Sequence, residues 1–455
     1  MAAKFSDIAD GTLGHFWLQP PHDLDLATSR DGYVRIAENN VIQIATLTTG
    51  NQLERMMRGE LEKLPNPAAA FGMTNATGVL FFDLYGVSEN NNFGGARAST
   101  ETLKYRSLAF KFDVSEIRSD RLSELSLHFP GVYFWSGLRL IEENMDIDAI
   151  NRPSSYAAKI LDIPRIKTQF TPTIELEITS TWSVTGHQDQ RIMSTPMVLT
   201  SRSKKPVSWT KHVPQLLAVR DLLNLAYKGY IPASAGRVTL DYTDTYKPNA
   251  RPEFWSSRFM VPPRSIESKD PAGIFPVFSV GDIGGIAGVK RWALLDRQHP
   301  RATGPLVNLY RFGRINVETR LIEIAAAMEY WTKIHQTLGR HWAQPLKLSK
   351  KKYEPLPNAM ARKAGSAFEA FVGGDTLSWS TEFWNAYNNL KHAPNYQYDA
   401  GDIATLAATG ELLLECSLLA RCRGNQQIVK IVCESHHNNS LSIDVQRLLG
   451  KLPAK

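Results

Sequence analysis

The chain has 455 residues, of which 43% are hydrophobic and 21% charged, so it has enough apolar sequence for two or three folded domains and is not disordered throughout. Its formal net charge of +7 favours an anionic partner but does not by itself identify nucleic acid. The three cysteines, Cys416, Cys422 and Cys433, form no Cys-x-x-Cys pair, which argues against a disulfide framework and indicates a reducing compartment.

Targeting and membrane signals are weak. The first seven residues contain no apolar stretch of the kind that a signal peptide needs. The most apolar long segment, Ile403–Ala420, contains Glu411 and Glu415, which a membrane span would rarely hold. We therefore expect a cytoplasmic protein that does not use a membrane as a partner.

Period-two patterns dominate the first 200 residues and predict half-buried strands. Leu108, Phe110, Phe112 and Val114 alternate with other residues, as Ile174, Leu176 and Ile178 alternate with Glu175 and Glu177. Further strand candidates are Val34, Ile36, Val41, Ile42, Ile44, Val79, Leu80, Phe81 and Phe82. The first clear helical pattern is Val213–Tyr227, which Gly229 stops.

After about residue 313 the apolar residues recur at three- and four-residue steps. The first such run contains Val317, Leu321, Ile324, Met328, Trp331 and Leu338, and similar runs occupy about 358–372, 380–392, 401–421 and 425–435. The predicted fold class is therefore α+β. Residues 1–312 form a β-rich region, with a division into two subdomains near residue 205 left open, and residues 313–455 form an all-α bundle.

The segment Phe383–Pro394 divides into two faces if it is helical. One face is apolar and consists of Phe383, Ala386, Tyr387 and Leu390. The other face is polar and consists of Asn385, Asn388, Asn389 and His392, at i, i+3, i+4 and i+7. A freely solvated face usually carries Lys and Glu, and Asn is a mediocre helix former. We expect this polar stripe to face a partner or a substrate, with a solvated face as the alternative.

Other motifs give little support for an active site. The glycine-rich Gly281–Lys290 lacks the Gly-Lys-Ser/Thr of a phosphate loop, and the spacing of Cys422, Cys433, His436 and His437 does not favour a structural metal site. We expect no metal and no cofactor. The lysine run Lys350, Lys351 and Lys352 is usually a solvated loop, but it would contact a phosphate backbone if it bordered the polar stripe.

These segments resemble a known family. A helix that ends in a polar residue, three spacers and His, followed by Pro and another long apolar helix, resembles the HEPN domain (higher eukaryotes and prokaryotes nucleotide-binding). Gly14–Pro20, Arg106–Phe112 and Phe129–Trp135 look like the corresponding segments of ApeA-type antiphage proteins. Arg320–Trp331 is similar to the helix that opens the helical domain in that family.

The resemblance implies an abortive-infection defence protein with a β-rich sensor region and a HEPN endoribonuclease that is silent until infection. HEPN ribonucleases pair two Arg-x(4–6)-His motifs across a homodimer, with a polar residue commonly following the Arg. Here Asn388 and His392 match the polar residue and the histidine, but the Arg position holds Asn385, Ala386 or Tyr387. The one literal Arg-x6-His, from Arg121 to His128, has the pattern of a strand.

The resemblance also implies a mechanism. The 2′-hydroxyl of the RNA would attack the adjacent phosphorus with His392 assisting proton transfer, which requires no metal. Asn385, Asn388 and Asn389 would orient the RNA, and Lys391 would offset its charge. The enzyme would need a further cation, such as Lys391, Arg362 or Lys363, near His392. Transfer RNA is the substrate that this family suggests, and the phage-derived trigger would act on the N-terminal region.

Two other interpretations remain. The first is a catalytically degenerate HEPN module that binds RNA or a protein partner without cutting, which the missing Arg would explain. The second is a structural oligomerisation bundle carrying a β-rich recognition region, in which the Asn residues only fix the register of a dimer seam.

Overall fold

A computed structural model describes residues 11–21, 24–37, 41–48, 69–74, 77–90, 99–138, 140–148, 150, 152–162, 165–188, 190–243, 251–337, 345–349, 353–393 and 395–453. The chain divides into two compact units. The β-rich unit contains Met1–Pro130, Arg139–Leu217 and Pro232–Pro262, and the helical unit contains Gly131–Leu138, Ala218–Ile231 and Pro263–Lys455. The predicted α+β fold class is confirmed.

Sixteen strands are described. They are β1 (Leu13–Trp17), β2 (Arg30–Ile36), β3 (Ile42–Thr48), β4 (Ala69–Thr74), β5 (Thr77–Asn90), β6 (Ser99–Phe112), β7 (Ile117–His128), β8 (Ile141–Ile147), β9 (Pro153–Ile160), β10 (Ile166–Gln169), β11 (Ile174–Ser180), β12 (Ser183–Thr185), β13 (Ile192–Ser194), β14 (Met197–Ser208), β15 (Ala235–Tyr242) and β16 (Glu253–Ser256). β8 pairs with β9 and β12 with β13, while the other twelve strands share one sheet.

Six strands of that sheet close into an antiparallel ring. The order is β6, β3, β2, β1, β4 and β5, and β5 pairs with β6 to complete the circuit. Inward residues recur at every second position, as a buried strand face requires. They form a core with Phe16, Val34, Ile42, Ile44, Ala70, Val79, Phe81, Leu103, Tyr105, Leu108 and Phe110. A Cβ at Gly72 would lie 2.8 Å from the Phe16 ring, so this position accepts only glycine without rearrangement.

The remaining strands extend the sheet from β6 in the order β16, β15, β7, β14, β11 and β10. The predicted strands around residues 34–44, 79–82, 108–112 and 174–178 are confirmed. Arg121 and His128 both lie in β7, which confirms the strand interpretation of that Arg-x6-His. Val114 is not in a strand, because the Asp113 carboxylate accepts the Ser115 N–H at 3.0 Å and caps a short 3-10 turn instead.

Twelve α-helices are described. They are α1 (Val132–Ser136), α2 (Val213–Tyr227), α3 (Ser257–Met260), α4 (Ile286–Gln298), α5 (Pro300–Phe312), α6 (Val317–Thr337), α7 (Leu356–Ala364), α8 (Ser366–Phe371), α9 (Thr376–His392), α10 (Ala400–Arg423), α11 (Gln427–Cys433) and α12 (Asn439–Leu448). The predicted helix over 213–227 is confirmed, and the predicted 358–372 helix is two helices separated by Gly365, whose φ is +83°.

The boundary between the two units differs from the expected one at residue 312. Residues 263–312 group with the helical unit, and α4 and α5 precede residue 313. The glycine-rich Gly281–Gly285 turn precedes the first of these two helices. Gly284 and Gly285 have φ values of +89° and +71°, so the chain turns there and enters a helix at Ile286.

The long helix α10 runs parallel to α6. Gly410 faces Ile324, and Ser417 Oγ accepts the Trp331 indole N–H at 3.0 Å. Both contacts join residues 86 positions apart, which means that the two helices run in the same direction. By length and composition α10 could cross a membrane, but 72% of its most apolar window is buried within the structure, as in the core helix of a folded unit. Its Glu415 is buried and pairs with Lys228 at 2.5 Å.

Candidate functional site

Helix α9 carries the polar stripe and is fixed firmly at its N-terminal end. The Asp375 carboxylate accepts the Ser378 N–H at 2.9 Å, and this hydrogen bond lowers the pKa of Asp375. One turn further along, the Trp379 indole N–H donates to Thr409 Oγ1 at 3.0 Å. The helix ends at His392, because Ala393 is extended.

The apolar face of α9 docks on the helical unit. Phe383 is fully buried, and Ala386 and Tyr387 are 4% and 5% exposed. Trp379 lies beside the Phe383 ring, with 5.5 Å between the centroids. The predicted apolar face is confirmed for these three residues, whereas its fourth member, Leu390, is only half-buried.

The polar stripe faces away from the core of its unit. Asn385 and His392 are exposed, and Asn388 and Asn389 are half-buried. None of these four side chains makes a hydrogen bond with another residue in the described part of the chain. Three amides and one imidazole therefore keep their donors and acceptors available along one line of the helix surface.

Lys391 lies at the edge of this stripe and has a partner that the sequence analysis missed. Its Nζ is 3.2 Å from the Tyr387 hydroxyl and 5.4 Å from the centre of the Tyr387 ring. The ring of Tyr387 belongs to the buried apolar face, while its hydroxyl contacts the ammonium group of Lys391. The i, i+4 spacing of the two residues is the signal that predicts this contact.

The other candidate cations are engaged elsewhere or lie outside the description. The Arg362 guanidinium pairs with Glu354 at 2.5 Å, and Lys363 lines a cavity of about 290 Å³ together with His335 and Arg421. Lys350, Lys351 and Lys352, the proposed phosphate contacts, lie outside the described residues. The structure therefore brings together Asn385, Asn388, Asn389, Lys391 and His392 on one helix.

The candidate metal ligands do not form a site. Cys422 and Cys433 are buried, and burial raises the pKa of the Cys422 thiol to about 12, whereas His436 is exposed. Within the ranges that the structure describes, no group of three or more His, Cys, Asp or Glu side chains is arranged to hold a metal ion.

Comparison with known proteins identifies the family. The family model for ApeA N-terminal domain 1 matches residues 12–292, which is more than half of the chain. The chain belongs to the ApeA family. Membership of the ApeA family indicates an antiphage defence protein. Searches of curated proteins and of solved structures gave no match. The matched range includes the segments of the N-terminal half that resemble ApeA proteins, while α9 lies beyond it, so the HEPN assignment stays a prediction.

Proposed function

We propose that this ApeA-family protein defends against phage through a HEPN-type endoribonuclease in its helical unit. The observation that carries the proposal is the outward stripe on α9, where an exposed His392 follows three asparagines that have no partner in the described chain. A face of this composition provides hydrogen bonds and a proton-transfer group but little packing energy. It fits a polar, anionic substrate such as RNA better than it fits a protein core.

The proposed reaction needs no metal because its nucleophile belongs to the substrate. The 2′-hydroxyl attacks the adjacent phosphorus, and the His392 imidazole assists the proton transfer that accompanies attack or departure of the 5′-oxygen. The half-buried Asn388 and Asn389 have restricted side chains, which suits them to orient the phosphate and ribose. Lys391 offsets the charge that develops on phosphorus. The products carry a 2′,3′-cyclic phosphate and a 5′-hydroxyl.

The proposed enzyme acts as a homodimer in the cytoplasm, with transfer RNA as the expected substrate. A second copy of α9 would place a second stripe beside the first and double the number of polar groups in one cleft. Such a partner would also supply cations that a single stripe lacks, since the stripe contains three asparagines and one histidine, with Lys391 at its edge. The phage-derived trigger acts on the β-rich region in this proposal.

His392→Ala tests the nuclease. Wild-type protein is purified from phage-infected cells, in which it has been activated, and is then incubated with RNA. It should produce fragments with 2′,3′-cyclic phosphate ends. The variant should cut at least about 100-fold more slowly, because removing a general acid or base has an effect of that order. His436→Ala is the matched control, since His436 is also exposed and lies in the same unit. Equal cleavage by wild type and His392→Ala would refute the assignment of His392.

A degenerate HEPN module is the second candidate. The position of the family's arginine is occupied by Asn385, Ala386 or Tyr387, and the nearest cation, Lys391, contacts the Tyr387 hydroxyl. This candidate predicts RNA binding that survives His392→Ala and weakens with salt, without any cleavage by the wild type. A purely structural bundle predicts neither binding nor cleavage, but loss of assembly in Leu390→Asp.

A further inference from the structure

Polar side chains line one face of the strands β11, β14, β7 and β15 in the β-rich unit. The opposite face of β7 presents Leu122 and Leu125, which are fully buried. The polar face opens into a cavity of about 540 Å³. A cavity of this volume is in the usual range for small-molecule sites.

Two buried carboxylates line this cavity. Glu124 is 6% exposed and Glu177 is 3% exposed. Arg202 bridges them, with its Nε 3.0 Å from Glu124 Oε2 and its Nη1 3.4 Å from Glu177 Oε2. Arg251 pairs with the other oxygen of Glu124, and Arg165 Nε lies 3.7 Å from Glu177 Oε1. Buried carboxylates that hold arginines in this way fix the direction of the guanidinium groups.

The positive charges in the cavity exceed the negative ones by two. Its lining contains Arg165, Arg202, Arg237 and Arg251 against Glu124 and Glu177. Burial lowers the pKa of His128, so this lining histidine is neutral at pH 7. Arg237 is exposed and makes no ion pair with a described residue. A network that served only to neutralise its buried carboxylates would need no such surplus.

The arginines keep donors free for a ligand. The side chains of Arg202, Arg251 and Arg165 are 45%, 52% and 73% exposed although each pairs with a buried carboxylate. A guanidinium has five N–H donors in a planar fork that suits phosphate oxygens. The hydroxyl-bearing residues Thr179, Thr181 and Ser194 also line the cavity. Its described lining includes no Phe, Trp or Tyr, the large aromatic side chains on which nucleobases commonly stack.

We propose that this cavity binds a small phosphorylated polyol, such as a sugar phosphate. A phosphomonoester carries a charge of about −1.5 to −2 at pH 7, which matches the surplus of two positive charges. Arg202, Arg237 and Arg251 hold the phosphate, and the threonine and serine hydroxyls bind the hydroxyls of the polyol. The β-rich unit would then have a small-molecule binding site of its own, separate from the proposed ribonuclease site on α9.

Calorimetric titration of the full chain with ribose 5-phosphate tests the site, with ribose and inorganic phosphate as comparison ligands at matched ionic strength. Wild type should bind ribose 5-phosphate, bind phosphate more weakly and show no binding of ribose. Arg237→Ala should weaken binding of the ester by about tenfold or more, since it removes one unpaired charged donor. Arg121→Ala is the matched control, because Arg121 is exposed on β7 but does not line the cavity.

An unchanged melting temperature of unliganded Arg237→Ala establishes that the variant is folded. No binding of the ester to wild type would overturn the proposal, and so would equal affinity for ribose 5-phosphate and inorganic phosphate, which would reduce the site to one for free phosphate. Equal weakening by Arg237→Ala and Arg121→Ala would place the binding outside this cavity.

Discussion

Asn385 is the residue at which this chain departs most informatively from the family's pattern. It is exposed, and six residues separate it from His392, which is one of the spacings that the family's arginine adopts. A guanidinium there would lie two turns before the imidazole on the same face. The other two candidate positions are less suitable for a charge, since Ala386 and Tyr387 are buried.

Asn385→Arg should therefore increase cleavage of RNA by about tenfold or more, because a guanidinium can stabilise the charge that develops on the scissile phosphate. The measurement is the single-turnover rate of the activated protein on its RNA substrate. Ser440→Arg, which adds the same charge at an exposed position of α12, should leave the rate unchanged. A rate that rises equally in both variants would indicate a general electrostatic effect and would contradict the site on α9.

The polar and apolar faces of α9 could be predicted from the sequence because a helix fixes the relation between residues three and four apart. The role of Tyr387 could not be read from its hydrophobicity alone. Its ring is buried as predicted, while its hydroxyl holds Lys391 at the surface. An amphipathic side chain of this kind has an apolar part that packs in the core and a polar group that makes a separate contact. A pattern of apolar positions predicts only the burial of the apolar part.

The packing of α9 against α10 depends on the absence of a side chain at Gly410. A Cβ at this position would lie 2.5 Å from Phe383 Cε2 and 3.1 Å from Ile324 Cγ2. Both neighbours are fully buried and have little room to move. Gly410 thus allows α6, α9 and α10 to approach one another closely.

Gly410→Ala should lower the free energy of unfolding of the helical unit by about 1–2 kcal/mol, because overpacking costs about 1–3 kcal/mol and the better helix propensity of Ala recovers up to about 1 kcal/mol. Urea unfolding followed by circular dichroism at 222 nm measures the change. Gly304→Ala is the control, since a Cβ there meets nothing closer than 3.4 Å and should stabilise α5 slightly. If both substitutions stabilise the protein, the neighbours of Gly410 can move to accommodate a methyl group, and the prediction is wrong.

Elements with a continuous periodic pattern could be predicted from the sequence, as α2, β11 and the strands of the ring show. The ends of some helices depend on local backbone conformation. Gly365 divides one predicted helix into two, and Gly284 and Gly285 precede the start of α4, a helix for which the sequence analysis gave no bounds. The positive φ values at these glycines are properties of the folded backbone, and the spacing of hydrophobic residues does not predict them.

At the scale of the whole molecule, sequence patterns do not show which strands become neighbours. Glu124 and Glu177 lie on β7 and β11, and the intervening strand β14 brings them to a common arginine. From the sequence alone, each glutamate is predicted to be an ordinary polar residue on a half-buried strand. The cavity they share therefore follows from sheet order, which depends on contacts between residues distant in sequence.

Buried histidines should make the folded chain sensitive to mild acid. His212 is fully buried between the Ser201 hydroxyl and the Leu122 carbonyl, and burial lowers its pKa from 6.5. The unfolded chain therefore takes up a proton near pH 6.5, while the folded chain does so only at lower pH. His212 thus contributes a decrease in the free energy of unfolding as the pH falls below about 6.5, and this contribution continues down to the pKa of His212 in the folded state.

His212→Gln should make this decline shallower between pH 7 and 5.5, by up to about 1.4 kcal/mol per pH unit. Denaturant unfolding at a series of pH values measures the slope. His187→Gln should leave the slope as in wild type because His187 is exposed. Glu415, whose pKa is raised by burial, changes stability in the opposite direction, but it contributes equally to all three proteins. Parallel curves for wild type and His212→Gln would contradict the expectation.

The closed ring of six strands also has a consequence for synthesis on the ribosome. β1 is made first, but β6 must pair with β3 on one side and β5 on the other before the circuit is complete. Until Phe112 has left the exit tunnel, the nascent segment holds exposed backbone N–H and C=O groups that can join strands of other growing chains. Translation that pauses before this point should promote aggregation, whereas a pause after it should be harmless to this part of the protein.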